Sequence, residues 1–410
     1  MRRIYIIANF TRAFDGKVDG RFLFLAEELS KEKDVQVELI TSSFSHGTKK
    51  PKPAPNQGVY KTKITYCYEP GYVKHIGLKR LWSHRVWGKN VAKYVKSLPK
   101  PDFIYCAIPS LTAAVEMAKY CEKNHVKFAV DVQDLWPEAT FMLIKNKILR
   151  KFVAPMIWYV NKAYRAADCV IGVSQTYVDR VMSVNTKAKH TLNVFLGNNG
   201  EVFERVLDSC DKFAPSTIEG NVCVDKPLVI CYIGTLSYSY DLKCIIDALS
   251  IINQRTNIEQ EITFAVLGEG PLRNEFEEYA SNKKVKCEFT GRLPYEQMVS
   301  KMCSCDILIN PIVKDAAQSI TNKVGDYALS GLPVINTQEC QEYRNLVEEY
   351  KCGINCEVGN AKQVAEAIVK LSTDSELRLK MGENHRRLGQ EKFDRRNTYK
   401  SIVNIILNKE

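Results

Sequence analysis

The 410-residue sequence predicts an α/β protein of two doubly wound domains. Three observations lead there. The chain is too long for one ordinary core. Short apolar runs alternate with amphipathic stretches, twice over. No apolar run reaches the ~18 residues of a membrane-spanning helix. With 45% hydrophobic and 26% charged residues the composition is globular.

In the first half the strand-like runs are 4–8, 35–40, 103–108, 126–132, 169–173 and 192–196, with helices such as 22–29 and 111–123 between them. In the second half the runs are 228–233, 262–267, 285–289, 306–309 and 334–336, again separated by helical patterns. Continuous apolar strands alternating with helices imply parallel sheets covered on both faces. The expected organisation is a Rossmann-like domain at 1–205, a mixed polar linker at 206–226, and a second Rossmann-like domain at 227–385. A charged helical segment at 386–410 is expected to pack back on the first domain. Ligands of such sheets bind beyond the carboxyl ends of the strands.

The 14 cysteines form no Cys-x-x-Cys pair and the six histidines no ligand motif. Thiols scattered through apolar runs suit a reducing compartment, so the expected location is the cytoplasm. Charge is unevenly spread. Residues 1–200 carry 32 Lys+Arg against 16 Asp+Glu, a net of +16, within a chain whose total is +11. From Lys49 to Lys100 there are 13 basic residues and one acid, Glu69. An anionic partner is implied. Aromatic residues alternate with the cations here: Tyr72, Trp82, Trp87 and Tyr94 among Lys74, His75, Lys79, Arg80, Arg85, Lys89, Lys93 and Lys96. That mixture suits the anionic surface of a membrane's inner leaflet, whereas no nucleic-acid recognition motif accompanies it. A plainly solvated basic face is the alternative.

The densest chemical motif runs from Gln318 to Ile335. Thr321 is placed to cap a helix over 322–330 that Gly331 ends. Free N–H groups of its first turn favour an anion, and Lys323 adds a point charge suited to a diphosphate. Asp326 shares a face with Asn322 and Lys323, where a carboxylate can accept hydrogen bonds from both ribose hydroxyls. A capped surface helix whose acid complements the dipole is the competing reading.

The segment Asn322-Lys323-Val324-Gly325-Asp326-Tyr327, continued by Gly331-Leu332-Pro333-Val334, resembles the donor motif of GT-B glycosyltransferases of retaining family four, in the bacterial capsule and O-antigen branch. Further similar pieces follow in order: Asp131 to Glu138, Ala167 to Ser174, Asn198-Asn199-Gly200, and Leu267 to Leu272. The resemblance implies a GT-B fold with two facing domains and a retaining transfer of a hexosyl or acetamidosugar unit. The donor it implies is a nucleotide sugar, UDP-linked. The acceptor it implies is a polyprenyl-diphosphate-linked saccharide at the cytoplasmic face of the membrane, in surface-polysaccharide assembly. It implies no cofactor and no metal, the diphosphate being met by a helix start and Lys323.

On that pattern Gln318 and Asp326 stand where the family has two glutamates, so Gln318 lacks the usual carboxylate and is left to contact sugar or phosphate neutrally. Donor contacts are expected from Gly234, Thr235, Arg292, Leu293, Ile320, Thr321, Asn322, Lys323 and Asp326. Lys243 is the nearest replacement for a missing family cation, with a solvated helix residue as the alternative. Asp134 follows a strand and can orient or deprotonate the acceptor hydroxyl, or else cap a helix starting at Pro137. Gly16, Lys17, Gly20 and Arg21, between the first strand and first helix, are the expected acceptor contacts. Asp134, Lys323 and Gln318 form the expected catalytic set. A nucleotide-sugar epimerase of the same architecture and a non-catalytic partner subunit remain open at this point.

Overall fold

The computed structural model describes residues 1–18, 20–74, 77–138, 147–209, 227–254, 260–314 and 320–409. It divides into two compact units, Met1–Leu196 with Thr398–Glu410, and Gly197–Asn397. The divisions at 196 and 397 differ from the expected 205 and 386. Asn198 is bound by backbone hydrogen bonds to Phe393 (2.8 Å) and Arg395 (3.0 Å), which ties the start of the second unit to its end. Residues 210–226 of the expected linker lie outside the described residues.

The first unit is built on a parallel sheet of seven strands. They are β1 (Arg2–Ala8), β2 (Val35–Ser42), β5 (Lys63–Cys67), β6 (Phe103–Ile108), β7 (Lys127–Val132), β8 (Cys169–Gly172) and β9 (His190–Asn193), in the order β5-β2-β1-β6-β7-β8-β9. A short antiparallel hairpin, β3 (Phe44–Ser45) with β4 (Lys50–Pro51), leaves the carboxyl end of β2. Strands β1 and β6 sit centrally, and Ile4, Ile6, Ile7, Ile104 and Ile108 are fully buried, as apolar runs between two helical layers require. Helices α1 (Arg21–Ser30), α2 (Leu78–Ser97), α3 (Leu111–Asn124), α4 (Lys147–Ala166) and α5 (Gln175–Met182) alternate with the strands. Besides the hairpin, two strands of the seven-stranded sheet depart from expectation, both at its edges. β5 was not foreseen, and β9 starts at His190 rather than 192. β5 mixes polar and half-buried residues with its buried Ile64 and Cys67, so its sequence lacks the continuous apolar signature. From the C-terminal segment, Tyr399, Ile402 and Ile406 complete the core beside Ile4, Ile6 and Phe24.

The second unit repeats the plan with β10 (Leu228–Ile233), β11 (Ile262–Leu267), β12 (Cys287–Gly291), β13 (Ile307–Asn310), β14 (Val334–Asn336) and β15 (Gly353–Asn355). The order is β12-β11-β10-β13-β14-β15, all parallel. Its helices are α6 (Gly200–Asp208), α7 (Leu242–Asn253), α8 (Arg273–Asn282), α9 (Tyr295–Cys303), α10 (Lys323–Ser330), α11 (Gln341–Tyr350), α12 (Ala361–Thr373) and α13 (Ser375–Leu388). At the carboxyl ends of β13, β14 and β15, Asn310, Asn336 and Asn355 stand in register. Asn310 Nδ2 donates to Asn336 Oδ1 and Asn336 Nδ2 to Asn355 Oδ1, both at 2.9 Å. This side-chain ladder pins the register beside α10, because a slip of one residue would bury its amides unpaired.

The described cysteines are free thiols, and most are buried. Burial pushes Cys244 and Cys352 up to about 12, so they pack as small apolar groups.

Candidate functional site

The candidate donor site lies in the second unit, where the chain leaves β10, β11 and β13. Gly234 follows β10 with φ +142°, and Gly268 follows β11 with φ +159°. The two turns touch backbone to backbone: Gly234 N donates to Leu267 O (3.0 Å), Leu236 N to Glu269 O (3.1 Å) and Leu272 N to Leu236 O (3.1 Å). A Cβ at Gly268 would stand 1.8 Å from Gly234 O, and one at Gly270 would stand 2.3 Å from Leu236 O. The Leu267–Leu272 turn therefore has glycine where only glycine fits. Gly268→Ala should displace the Gly234 turn and weaken nucleotide binding at least about tenfold, with loss of stability at the upper end of single-site effects. Titration calorimetry and thermal melting check it; wild-type affinity in a fully folded variant would refute the close-packing argument.

Lys323 is the first residue of α10. Its side chain is buried, 7% exposed, and runs under Gly234 between two aromatic rings. Nζ lies 4.1 Å from the ring centroid of Tyr232 and 3.8 Å from that of Tyr240. It has no hydrogen-bond partner among the described residues. Burial alone holds its pKa well below the ordinary lysine range. A Cβ at Gly234 would come within 3.0 Å of Nζ, so the missing side chain keeps the space over that amine open. Rings attract a cation without neutralising it. The arrangement is suited to an anion supplied from outside. The sequence marked Lys323; it gave no sign that Tyr232 and Tyr240 would hold it.

The rest of the helix start departs from expectation in one respect. The helix begins at Lys323, and Asn322 takes the N-cap position in αR conformation without a side-chain hydrogen bond. Thr321 therefore does not cap it, and its buried Oγ1 has no partner among the described residues. Thr321 O instead accepts from Val324 N at 3.0 Å. Asp326 Oδ1 accepts from Asn198 Nδ2 (2.8 Å) and from the Tyr295 hydroxyl (2.7 Å). Tyr295, 39% exposed at the start of α9, joins the site without having been foreseen. A hydroxyl-bearing residue directly after Arg292-Leu293-Pro294 was the available clue.

Other expected donor contacts are mixed. Gly234 is half-buried and Thr235 exposed, while the Tyr232 hydroxyl donates to Thr235 O at 2.9 Å. Arg292 is exposed, and Leu293, which follows β12, and Ile320 are half-buried. Lys243 forms an ion pair with Glu275 at 2.5 Å and lies 5.3 Å from the Tyr279 ring centroid, as a helix-surface residue does. Its charge is already countered there. Gln318 lies outside the described residues.

In the first unit the acceptor expectation needs one correction. Arg21 is 4% exposed, and its guanidinium belongs to the core. Nε donates to Asp131 Oδ2 (2.6 Å) and Nη2 to Asp131 Oδ1 (3.1 Å). Nη1 reaches Val194 O, Phe195 O and the Tyr399 hydroxyl at 3.1, 3.2 and 3.0 Å. The Tyr105 hydroxyl adds a 2.7 Å bond to Asp131. Arg21 joins β7, the segment after β9 and the C-terminal helix Arg395–Leu407, and it has no reach toward a ligand. Gly16 and Gly20 have φ of +105° and +81°, and Lys17 is exposed. Gly16 N donates to the Tyr60 hydroxyl at 2.7 Å. Asp134 is half-buried after β7. Burial raises its carboxyl pKa, with Arg80 opposing. Glu138, directly after Pro137, is helical, so a helix begins within one residue of the expected start and the capping reading of Asp134 stands beside the acceptor reading.

The basic segment splits. Tyr72 and Trp87 are buried, whereas Val73, Leu78 and Trp82 are 81, 83 and 56% exposed. His75 lies outside the described residues. No helix among the described residues is long and apolar enough to cross a membrane.

Residues 216–388 match the family of glycosyl transferases group 1. Over residues 227–388 the second unit is thus similar to that family. Among solved structures, HepE of Anabaena in complex with UDP is similar over 100% of both chains, with TM-score 0.66 and 16% identity. A glycosyltransferase of Rickettsia africae aligns over 100% of this chain and 99% of its own, with TM-score 0.63 and 15% identity. The lipopolysaccharide outer core galactosyltransferase WaaB aligns over 100% of both chains, with TM-score 0.62 and 14% identity. These likenesses show the fold: two Rossmann-like domains with parallel sheets, as in GT-B glycosyltransferases. No curated protein matches the chain by sequence.

Proposed function

We propose that the protein is a retaining glycosyltransferase that uses a UDP-linked sugar. The observation that carries this reading is the buried amine of Lys323 at the start of α10, inside the stretch similar to group 1 glycosyl transferases. A diphosphate arriving over Gly234 supplies the counter-charge that this amine lacks, and the protonated amine then stabilises the leaving group. Asp326, steadied by Asn198 and Tyr295, accepts from the ribose hydroxyls. HepE with bound UDP, a protein of similar fold, supports the choice of nucleotide. The sugar bond opens on the face from which the acceptor attacks, with donor phosphate taking part in proton removal and Asp134 orienting the acceptor hydroxyl. The charge on the diphosphate is met without a metal.

The acceptor in this reading is a polyprenyl-diphosphate-linked saccharide, the transferred unit a hexose or acetamidosugar, and the setting the assembly of a capsule, O-antigen or exopolysaccharide. Exposed Val73, Leu78 and Trp82 next to Lys74, Lys79 and Arg85 support peripheral contact with an anionic cytoplasmic leaflet.

Asp326→Ala tests the donor site. It removes the ribose acceptor together with the carboxylate to which Asn198 Nδ2 and the Tyr295 hydroxyl donate, so UDP affinity should fall about 30-fold or more, the size expected when a charged hydrogen-bond partner is deleted. Calorimetric titration with UDP and UDP-glucose reads it. Failure of the wild type to bind any nucleotide sugar would sink the proposal. Conversion of UDP-sugar to its epimer without acceptor would replace it with an isomerase.

A further inference from the structure

With Arg21 assigned to the core, the first unit's charged side chains gather elsewhere. Loops at the carboxyl ends of β1, β2, β5 and β7, together with the start of α2, converge on a cluster of cations and rings. The Arg80 guanidinium lies 4.6 Å from the ring centroid of Trp136, 5.7 Å from Tyr72 and 5.8 Å from Phe10. Lys49 Nζ lies 4.8 Å from the Tyr72 centroid, and His46 Nδ1 is 2.6 Å from the Tyr72 hydroxyl. Lys52, only 8% exposed, donates to Thr11 Oγ1 at 2.8 Å.

The charge in this cluster is unbalanced. Glu69, the single acid between Lys49 and Lys100, lies at its base. It accepts from Asn9 Nδ2 (3.0 Å), Ser42 Oγ (2.5 Å) and Ser83 Oγ (2.8 Å). Asp134, at the rim, is pushed toward its neutral form by burial. Lys49 and His84 report a positive potential. Burial and then Arg80 lower Lys49, whereas burial lowers Lys52 to about 8 against the opposing charge of Glu69. His84 falls to about 3 through burial, followed by Arg80, His46 and Lys49. Three cations are thus gathered on aromatic faces and a hydroxyl, next to the carboxyl expected to meet an acceptor hydroxyl. Ring faces suit the flat apolar side of a sugar, and gathered cations suit an oxyanion.

We infer that Arg80, Lys49 and Lys52, with the rings of Phe10, Tyr72 and Trp136, form the binding site for an oxyanion-bearing saccharide acceptor. The inference rests on the transferase reading and deepens it. It transfers the acceptor's charge from the Gly16–Arg21 loop to the carboxyl edge of β1, β2 and β5. A lipid-linked diphosphate and an acidic sugar present the same chemistry to this site.

The test titrates farnesyl diphosphate, glucuronic acid and octyl glucoside into protein saturated with UDP, which fills the donor pocket, and in parallel into a Lys323→Met background. Arg80→Gln and Lys52→Met should each weaken the anionic probe about tenfold or more while leaving UDP affinity within about twofold. Farnesyl diphosphate binding with glucuronic acid inert identifies a diphosphate acceptor; the reverse identifies an acidic sugar. Either result supports the inference. It is overturned if octyl glucoside binds as tightly as the anionic probes, if no anionic probe binds wild type, or if both variants bind like wild type. Unchanged UDP affinity separates a lost site from a lost fold. Absence of UDP binding in wild type would strike the transferase reading instead, with the Lys323→Met titrations still reporting on this cluster.

Discussion

Lys323→Met should weaken UDP and UDP-sugar binding by about two orders of magnitude or more while leaving the fold at least as stable as before. The two halves of this expectation have one cause. In the free protein the amine lies between the rings of Tyr232 and Tyr240 without a hydrogen-bond partner among the described residues, so it contributes desolvation and little else to stability. Methionine fills similar volume and is content there. With diphosphate present, the same amine becomes one half of a buried, charge-assisted pair, and deleting it forfeits the pair. The pH dependence follows. The native pKa is depressed, so the unfolded chain holds the proton more tightly, and native stability rises with pH until the unfolded amine also deprotonates near 10.5. It falls again as pH drops through the native value. UDP needs the charged amine, so its affinity should decline as pH rises in wild type. That dependence should vanish in Lys323→Met. Titration calorimetry across pH reads both; an unaltered UDP affinity in the variant would remove Lys323 from the donor site.

The largest stability effect should come from Arg21→Met. Asp131, fully buried, would keep only the Tyr105 hydroxyl as a strong donor. Breaking one side of such a pair costs about 3–5 kcal/mol. The carbonyls of Val194 and Phe195 would lose their shared donor as well. The first unit's melting midpoint should drop by roughly 6–20 °C, at 2–4 °C per kcal/mol for a domain of this size. Adding Asp131→Asn should recover part of the loss, because the stranded charge is then gone. Lys17→Ala, exposed on the same loop, should leave the midpoint unchanged. Scanning calorimetry decides. An Arg21→Met protein that melts like wild type but fails to bind acceptor would return Arg21 to the acceptor site.

The pair also shows where sequence reading stops. Runs such as 103–108, 228–233 and 262–267 coincide with strands β6, β10 and β11 because central parallel strands are apolar on both faces. Lys63–Cys67 carries no such run, because this edge strand mixes polar residues with apolar ones. Arg21 looked available because arginine is seldom buried, and Asp131 lies 110 positions away. Nothing local signals such a partner. Lys323 and Asp326 were legible because residues three apart on a helix share a face whatever surrounds them. Their surroundings were not. Tyr232, Tyr240, Asn198 and Tyr295 arrive from other strands and loops, and only the fold brings them in.

The buried thiols have a use beyond packing. Cys67, Cys106, Cys121 and Cys169 are buried in the first unit, and Cys231, Cys244, Cys303, Cys305, Cys352 and Cys356 in the second. A sulfhydryl sealed from solvent does not alkylate until its surroundings open. Pulse labelling with a maleimide, followed by peptide mass spectrometry, therefore reads the opening of each unit separately, from residues already in place. The protein carries its own set of unfolding reporters, one for each half.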